Sequence, residues 1–483
     1  MNRPMVYILF VLIWGMIAEQ YFSNTIGVAL FVCSLIIFAY IVAKIFSVKK
    51  AIFLVIAGLL GFVLMHFANK PTNTHVEMIA DTKYKPYLNI TINKLCGFAK
   101  RSKKYLVTTN YIKIGDKIYY DNINMFYYTN QQFTSGDIVE LKCEVSTGKD
   151  YIDFDYNSYI KSEGCEYVIM ARAYKSGEIR HIHYYLELVN NKMSNILDTL
   201  YPKREAGILK AMILGDKKYL DEDINEIYKQ AGISHIIAVS GLHLSIIASI
   251  LMLLFSKVHL KRLTNIIVLI LLLGYCILTG CSPSIVRATI MIYVSILGKM
   301  LGQDYDLISS CSFACILIIC HNPYAMYGLG FLYSFASVFL IGMSSDILNK
   351  WRINNTLLAS MFISFVVSLG LKPITSYYFG YINMVDFFVN IIVISLSTFV
   401  LALGILSLFI GYFSKMLGVF FAGFPYILLK FIEYLSEFSL SLPLASINVK
   451  LGSPLEVFLI YALIFVLYLI VMNWNKFKLL IAR

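Results

Sequence analysis

Ala231-Gly232-Ile233-Ser234-His235-Ile236-Ile237-Ala238-Val239-Ser240-Gly241-Leu242-His243-Leu244-Ser245 is the stretch on which the reading of this chain turns. It stands where a polar region gives way to apolar sequence, and it carries two histidines, three serines and two glycines into that sequence. Polar atoms at membrane depth are costly unless they are paired or face a wet cavity. The stretch therefore reads in one of two ways. Ala238, Ser240 and Gly241 can let neighbouring helix backbones approach closely, or they can line a pathway. His235 and His243, bracketing the segment within one apolar run, tilt the reading toward the pathway.

Composition supplies the surroundings. Of 483 residues, 58% are hydrophobic and only 14% charged, far too apolar for a soluble protein and right for a polytopic membrane protein. The formal charge of +12 is first explained by the basic bias of cytoplasmic loops, before any anionic ligand is invoked. The sequence holds nine cysteines and no CxxC pair, so neither a zinc ribbon nor a thioredoxin-like site is indicated. Cys96, Cys143 and Cys165 lie in the polar region, where an oxidising exterior would allow one disulfide and one thiol. No GxxxxGK[ST] occurs, so the chain is not its own ATP-driven motor. His181-Ile182-His183 continues as Tyr184-Tyr185-Leu186, without the Asp-His of a two-metal hydrolase. No catalytic residue, metal or cofactor is expected.

In chain order, three apolar runs come first, at 5–18, 26–45 and 51–67. The opening run follows Arg3 but lacks a small-residue cleavage site, so it reads as a retained span. Lys44, Lys49 and Lys50 between the second and third runs put the N-terminus inside and the chain beyond Phe67 outside. Residues 68–200 then alternate tyrosine-rich segments with turn signals. Strands are expected at 87–95, 105–114, 117–128, 137–145 and 167–174, with turns at Gly115-Asp116, Ser135-Gly136-Asp137 and Ser176-Gly177. That spacing predicts a small β-barrel or sandwich, with Tyr119, Tyr120, Tyr127 and Tyr128 packing its wall. Lys100-Arg101-Ser102-Lys103-Lys104-Tyr105 is its densest basic spot, either a solvated loop or a site for a single strand.

Residues 201–232 read as two amphipathic interfacial helices. Ile208, Leu209, Met212 and Ile213 give the first an apolar face, and Gly215-Asp216 ends it. Asp221 caps the second, and Ala231-Gly232 stops it. Residues 233–483 are nearly all apolar spans, bringing the total to about 11–12. Lys257, Lys261, Arg262, Lys299, Lys350, Arg352, Lys415, Lys476 and Lys478 mark inside loops and leave the C-terminus inside. Within these spans Ser282-Pro283 starts a helix that carries Arg287 one turn in, either snorkelling to headgroups or facing a wet lumen. Asp386 reads as an interfacial acid near Tyr381 and Asn383.

The string from His235 to His243 resembles the signature of the ComEC-type competence channels, the DNA internalization channel family. The similarity continues upstream through Ala206, Ile213-Leu214-Gly215-Asp216-Lys217, Leu220 and Gly232. Arg287-Ala288 with Met291 is similar to a second block, and moves Arg287 toward the lumen. Asn322-Pro323 with Gly330-Phe331-Leu332-Tyr333-Ser334-Phe335-Ala336 is similar to a third, although Leu332 and Tyr333 stand where the family usually has glutamine and leucine. Lys372-Pro373 and Phe379-Gly380 through Asn390 resemble a fourth, with Ser395 replacing a proline. The segment 153–160, ending at Gly164, looks like the phenylalanine-aspartate-tyrosine segment that follows the family's barrel.

The resemblance implies a polytopic α-helical membrane protein with an inserted extracytoplasmic small β-barrel, OB-like, at 68–200. It implies a short form, without the metallo-β-lactamase-like domain that many members carry after the membrane part. The implied function is passage of single-stranded DNA across the plasma membrane during natural transformation. His235, Ser240, Gly241, His243, Arg287 and Asn390 are the implied translocation residues, and Lys100, Arg101, Lys103, Lys104 and Tyr105 a DNA contact on the outer domain. Single-stranded DNA, an extracytoplasmic DNA receptor, a cytoplasmic ATP-driven DNA translocase, a separate nuclease, membrane lipid and a second copy of the chain are the implied partners. Two other readings stay open: a transporter or flippase for another anionic substrate such as a cell-envelope polymer, and a membrane-embedded hydrolase using Ser240 with a histidine.

Overall fold

The computed structural model describes residues 3–474 except 22–24, 46–47, 71–73, 78, 100–101, 149–154, 256–260 and 443–445. Lys100, Arg101, Lys257 and the start of the 153–160 segment thus lie outside the described residues, as do Lys476 and Lys478. The chain divides into two compact units, Met1–Val189 with Ser312–Phe331, and Asn190–Cys311 with Leu332–Arg483.

In the first unit, the helices Pro4–Tyr21, Thr25–Ile45 and Val48–Asn69 form an apolar hairpin bundle. The first and third approach so closely that a Cβ at Gly15 would overlap the Gly58 carbonyl, and one at Gly61 the Leu12 carbonyl. Small residues permit such contacts where no hydrophobic drive separates helix from lipid.

The polar region folds as strands β1 (Tyr87–Ala99), β2 (Ser102–Ile114), β3 (Lys117–Tyr119), β4 (Asn124–Thr129), β5 (Asp137–Lys142), β6 (Val145–Ser146), β7 (Tyr167–Met170) and β8 (Ala173–Glu178). They pair in the order β6-β7-β4-β2-β1-β5-β8, with β3 on β2. All described pairings are antiparallel except β4 with β7. β5, β6 and the helix Tyr156–Ser162 lie between β4 and β7 in the chain and supply the crossover that parallel neighbours require. Alternation puts Leu88, Ile90, Tyr105, Val107, Tyr127, Val139, Leu141 and Ile169 into one core, which also takes Val145 and Ala173 from the two ends of the order. Gly115-Asp116 and Ser135-Gly136 turn as expected. Ser176-Gly177 does not: it lies inside β8, where Ser176 is the extra residue of a bulge opposite Ile138 and Val139.

Cys96, Cys143 and Cys165 are free thiols, so the disulfide that an oxidising exterior would allow is not formed here. Burial pushes the Cys143 and Cys165 thiols up to about 12 from an ordinary 9.0, and burial likewise raises Tyr127 to about 12. Groups raised in the folded state bind protons more tightly there than when unfolded. Their contribution is complete below the unfolded values and is lost as pH rises through the folded ones. Tryptic protection of this sheet in the full-length protein should therefore hold at neutral pH and collapse as pH climbs from 9 toward about 12. Protection that is flat across that range would contradict the burial of these groups.

Eight helices are long and apolar enough to cross a membrane, and four shorter apolar ones accompany them among the described residues. This is a multi-pass membrane protein. No residue of the Pro454–Met472 helix is fully buried, and although its Tyr461 and Tyr468 hydroxyls bond to Gly370 and Asp346, most of its apolar surface is left to lipid. Thr356–Phe379 and Lys415–Ser441 run on through Pro373 and Pro425. In Thr356–Phe379 the Tyr461 hydroxyl donates to the Gly370 carbonyl at 2.8 Å, close to the proline. Proline disturbs the hydrogen bonds of the preceding turn, and a neighbouring hydroxyl can satisfy such a carbonyl.

The segment expected to show a single apolar face is buried on every side. Glu205 through Leu214 are all buried, Lys210 included, and Lys210–Leu214 forms a π turn closed by left-handed Gly215. A π turn widens the backbone, and such turns are frequent at functional positions. Asp216 caps the next turn by accepting from the Lys218 N–H, and it pairs with Lys218 Nζ at 2.9 Å. Asp221 accepts from the Asp223 and Ile224 N–H groups at the head of Glu222–Gln230, which ends at Ala231 before left-handed Gly232.

Candidate functional site

The stretch 231–245 is a broken helix. Ser234–Ile237 makes one turn, Ala238 and Ser240 are extended, and Gly241–Leu254 begins a new helix with Ser240 as its N-cap. The break is local chemistry: Ser favours the cap, and Gly241 leaves space that a side chain would take. A Cβ there would stand 3.2 Å from Arg287 Nη2 and 3.5 Å from Ala288 Cβ. His243 Nδ1 accepts from the Ser240 N–H at 2.9 Å and lies 2.9 Å from Ser240 Oγ. An Nδ1 that accepts from a backbone N–H leaves the neutral ring's proton on Nε2.

Arg287 completes the group. It is 5% exposed, its Nη1 donates to the Ser334 carbonyl at 2.8 Å, and its guanidinium lies 5.8 Å from the Phe335 ring centre. Its Nε is buried without a partner, and among the described residues no carboxylate pairs with it. Burying a guanidinium unpaired costs several kcal/mol. Beside it, the first N–H groups of a helix add partial positive charge. Two positive poles left together with no counter-charge make a site that an anion would stabilise.

Ser240, Gly241, His243 and Arg287 are thus brought together. Two blocks of sequence converge on them, since Ser334 and Phe335 belong to the 330–336 segment and Ser334 Oγ donates to Ser284 Oγ at 3.1 Å. His235 precedes the break and is exposed, with its ring reaching back to the Gly232 backbone. Asn390 stands on the Asp386–Phe413 helix with Oδ1 buried and unpartnered, not bonded to the Arg287 group. Gly232 packs against Asp386, which accepts from Ser368 Oγ at 2.7 Å. Asn383 holds that junction, donating to the Gln230 carbonyl and accepting from the Val385 and Asp386 N–H groups. Tyr333, beside Leu332 at the family's glutamine position, is bonded to Thr375 Oγ1 at 2.8 Å.

Ser240 and His243, three residues apart, do touch, because Ser240 lies outside the helix as its cap. The same Nδ1 lone pair is occupied by a backbone N–H, which is capping rather than the free base a nucleophile needs.

The basic spot on the sheet of the first unit is less open than its sequence suggests. Tyr105 is buried in the core, its hydroxyl donating to the Gln131 carbonyl and accepting from the Phe133 N–H. It cannot stack on a base. Lys104 Nζ sits 3.6 Å from the Phe126 ring centre and 5.0 Å from that of Tyr159, and burial there lowers its pKa. Lys103 donates to Gln132 Oε1 at 3.3 Å.

Three networks gave no sequence signal. Lys430 pairs with Glu205 at 2.7 Å and Glu433 at 3.1 Å, and Arg204 with Glu433 at 2.8 Å. Lys210 pairs with Asp198 at 2.6 Å while lying over the Tyr219 ring. In the first unit, Glu19 accepts from His66 and Asn69, Asn69 accepts from Tyr324, and Lys161 donates to Tyr324. Asn322 donates to the Lys161 and Ser162 carbonyls at 3.0 and 3.2 Å, closing the end of the Tyr156–Ser162 helix. Charged residues mark such networks only after distant segments meet.

ComE operon protein 3 of Bacillus subtilis (strain 168) is 26% identical over 243 residues, which cover 50% of this chain and 31% of that protein. The match therefore spans under a third of the relative's length. No solved structure matches. The sequence profile of the Competence protein family matches residues 212–474, from within the π turn through the broken helix to the last described residue. Matched over more than half its length, this chain belongs to the competence protein family.

Proposed function

We propose that the chain is a channel that passes single-stranded DNA across the plasma membrane during natural transformation. The observation that carries this reading is the buried, carboxylate-free Arg287 beside the N-terminus of a broken helix at Gly241. Interrupted membrane helices expose their positive ends to anionic groups, and DNA offers one phosphate per nucleotide. His235, exposed before the break, and Asn390, with its unpartnered carbonyl oxygen, are candidate wall groups on the same path. The curled eight-stranded sheet, whose two ends share one core, supports an OB-like outer domain. The lysine and arginine distribution supports cytoplasmic termini and an extracytoplasmic sheet.

The physics limits how such a channel runs. Moving one negative charge inward against an inside-negative potential costs about 2.3 kcal/mol per 100 mV. A passive pore loses that contest at every nucleotide. The reading therefore includes a cytoplasmic ATP-driven translocase, an outer DNA receptor and a separate nuclease as partners.

Deleting the chain tests the reading. Uptake of labelled DNA into a protected, single-stranded internal form should fall to background while surface binding persists. Transformation that persists without the chain would favour transport of another anionic substrate, such as a cell-envelope polymer. A Ser240→Ala chain should transport normally, since capping by His243 uses the Ser240 backbone.

A further inference from the structure

The cysteines that meet are not those of the polar region. Cys276 sits in the last turn of the Lys261–Leu278 helix, and Cys281 lies five residues on, in the turn that leads to Pro283–Met300. Their sulfurs stand 3.8 Å apart. The turn itself brings them there. The Cys276 carbonyl accepts from the Cys281 N–H at 3.0 Å and from Thr279 Oγ1 at 3.1 Å, and Cys281 Sγ lies 3.5 Å from the same carbonyl. Cys281 has a φ of +51°, directly after Gly280 at +86°. The left-handed region favours glycine, so a cysteine held there points to a use for its thiol. Cys276 is buried and Cys281 exposed, which gives the pair one sulfur open to a reagent and one shielded behind it.

Both helices carry their basic residues at the ends away from this turn, Lys261 and Arg262 at the start of one and Lys299 at the end of the other. Resting on the sidedness inferred above, which puts such ends in the cytoplasm, the turn faces the oxidising exterior, where disulfides persist. We propose that Cys276 and Cys281 are a site of disulfide formation that clamps this turn. The Cys281 thiolate attacks one sulfur of an external disulfide donor, an oxidised thiol–disulfide oxidoreductase, and the donor's other sulfur leaves as a thiol. Cys276 then gives up its proton and attacks Cys281 Sγ, which forms the Cys276–Cys281 bond and releases the remaining donor sulfur as a second thiol. The pair loses two protons and two electrons, and the donor disulfide gains them. A disulfide holds its sulfurs about 2.05 Å apart, so closing the pair calls for side-chain rotation in a turn that is already formed. The clamp borders the broken helix. Cys276 shares an apolar cluster with Val239 and Ile285, and a Cβ on Gly215 would lie 3.1 Å from the Thr279 carbonyl. It fixes the approach to the helix that carries Arg287.

Peptide mapping of the full-length chain tests this, since tryptic cleavage after Arg262 and Arg287 gives one peptide, Leu263–Arg287, that holds these two cysteines and no other. Native cells quenched with N-ethylmaleimide should yield that peptide unalkylated and lighter by two hydrogens than its reduced form. After reduction, a membrane-impermeant maleimide added to intact cells should reach Cys281. In nanodiscs the oxidised parent should melt about 3 °C above the reduced one, and the double variant Cys276→Ala, Cys281→Ser should lose that difference. A peptide alkylated at both cysteines, a bond from either cysteine to a different peptide, labelling of Cys281 only in inverted vesicles, or a reductant effect that persists in the double variant would each overturn the site. The mapping needs only the parent chain, so it decides the matter even where the double variant fails to fold. It also needs no DNA. A reduced pair leaves the transport reading intact, whereas transformation that survives deletion of the chain sinks that reading and leaves the disulfide.

Discussion

A chain carrying Arg287→Gln, present in the membrane at normal abundance, should transform at least about 100-fold less efficiently than the parent. Glutamine keeps a donor for the Ser334 carbonyl but removes the charge. Truncating one partner of a buried charge pair, here the pair Arg287 would form with a passing phosphate, costs about 2–5 kcal/mol, and 1.4 kcal/mol is a factor of ten. Arg287→Lys should fall between the two, since a point charge replaces a planar fork. Gly241→Leu should match the glutamine variant by another route. Its side chain must enter the space 3.2 Å from Arg287 Nη2, displacing the guanidinium and covering the helix end. Transformant frequency with a marked linear DNA, normalised to membrane abundance, reads all three. An Arg287→Gln chain that transforms like the parent would remove the central group from the pathway.

The second large effect falls on folding. Gly232 has a φ of +76°, and a Cβ there would lie 2.7 Å from Asp386 Cβ. A side chain in the left-handed region costs about 1–2 kcal/mol, and forcing it into a packed contact costs about 1–3 kcal/mol more. Gly232→Val should therefore lower membrane abundance several-fold and shift the melting temperature of the purified chain downward. Gly115 supplies the comparison, with a φ of +62° and open space around it. Gly115→Ala should show only the conformational part. Because the clash is with Asp386 Cβ itself, adding Asp386→Gly should recover part of the loss. If the two substitutions simply add, the contact is not what Gly232 serves.

Much of this was legible in the sequence, for reasons that differ from element to element. The spans were visible because lipid demands long apolar runs, and the helix break because Ser240-Gly241 is cap chemistry inside one of them. The strands were visible through alternation, and the caps at Gly215 and Asp221 through residue type. Pairings between distant segments were not visible. Nothing at position 287 names Ser334, and Lys210 reads as surface until Asp198 and Tyr219 close around it. Burial also misled at Tyr105, where a basic neighbourhood suggested an exposed ring that the core of the sheet had taken. Tyr120 erred the opposite way: read as barrel wall, it lies open.

Asn322 closing the Tyr156–Ser162 helix, with Tyr324 reaching Asn69 and Lys161, also bears on how relatives can be recombined. A graft that takes residues 68–200 from a relative would leave behind the Asn322 amide that donates to it and the Tyr324 phenol, both far downstream. Hybrid chains should tolerate exchange of the strand-rich region only when 312–331 travels with it, so the transplantable module is discontinuous. Co-inheritance of those two segments across hybrids is its signature.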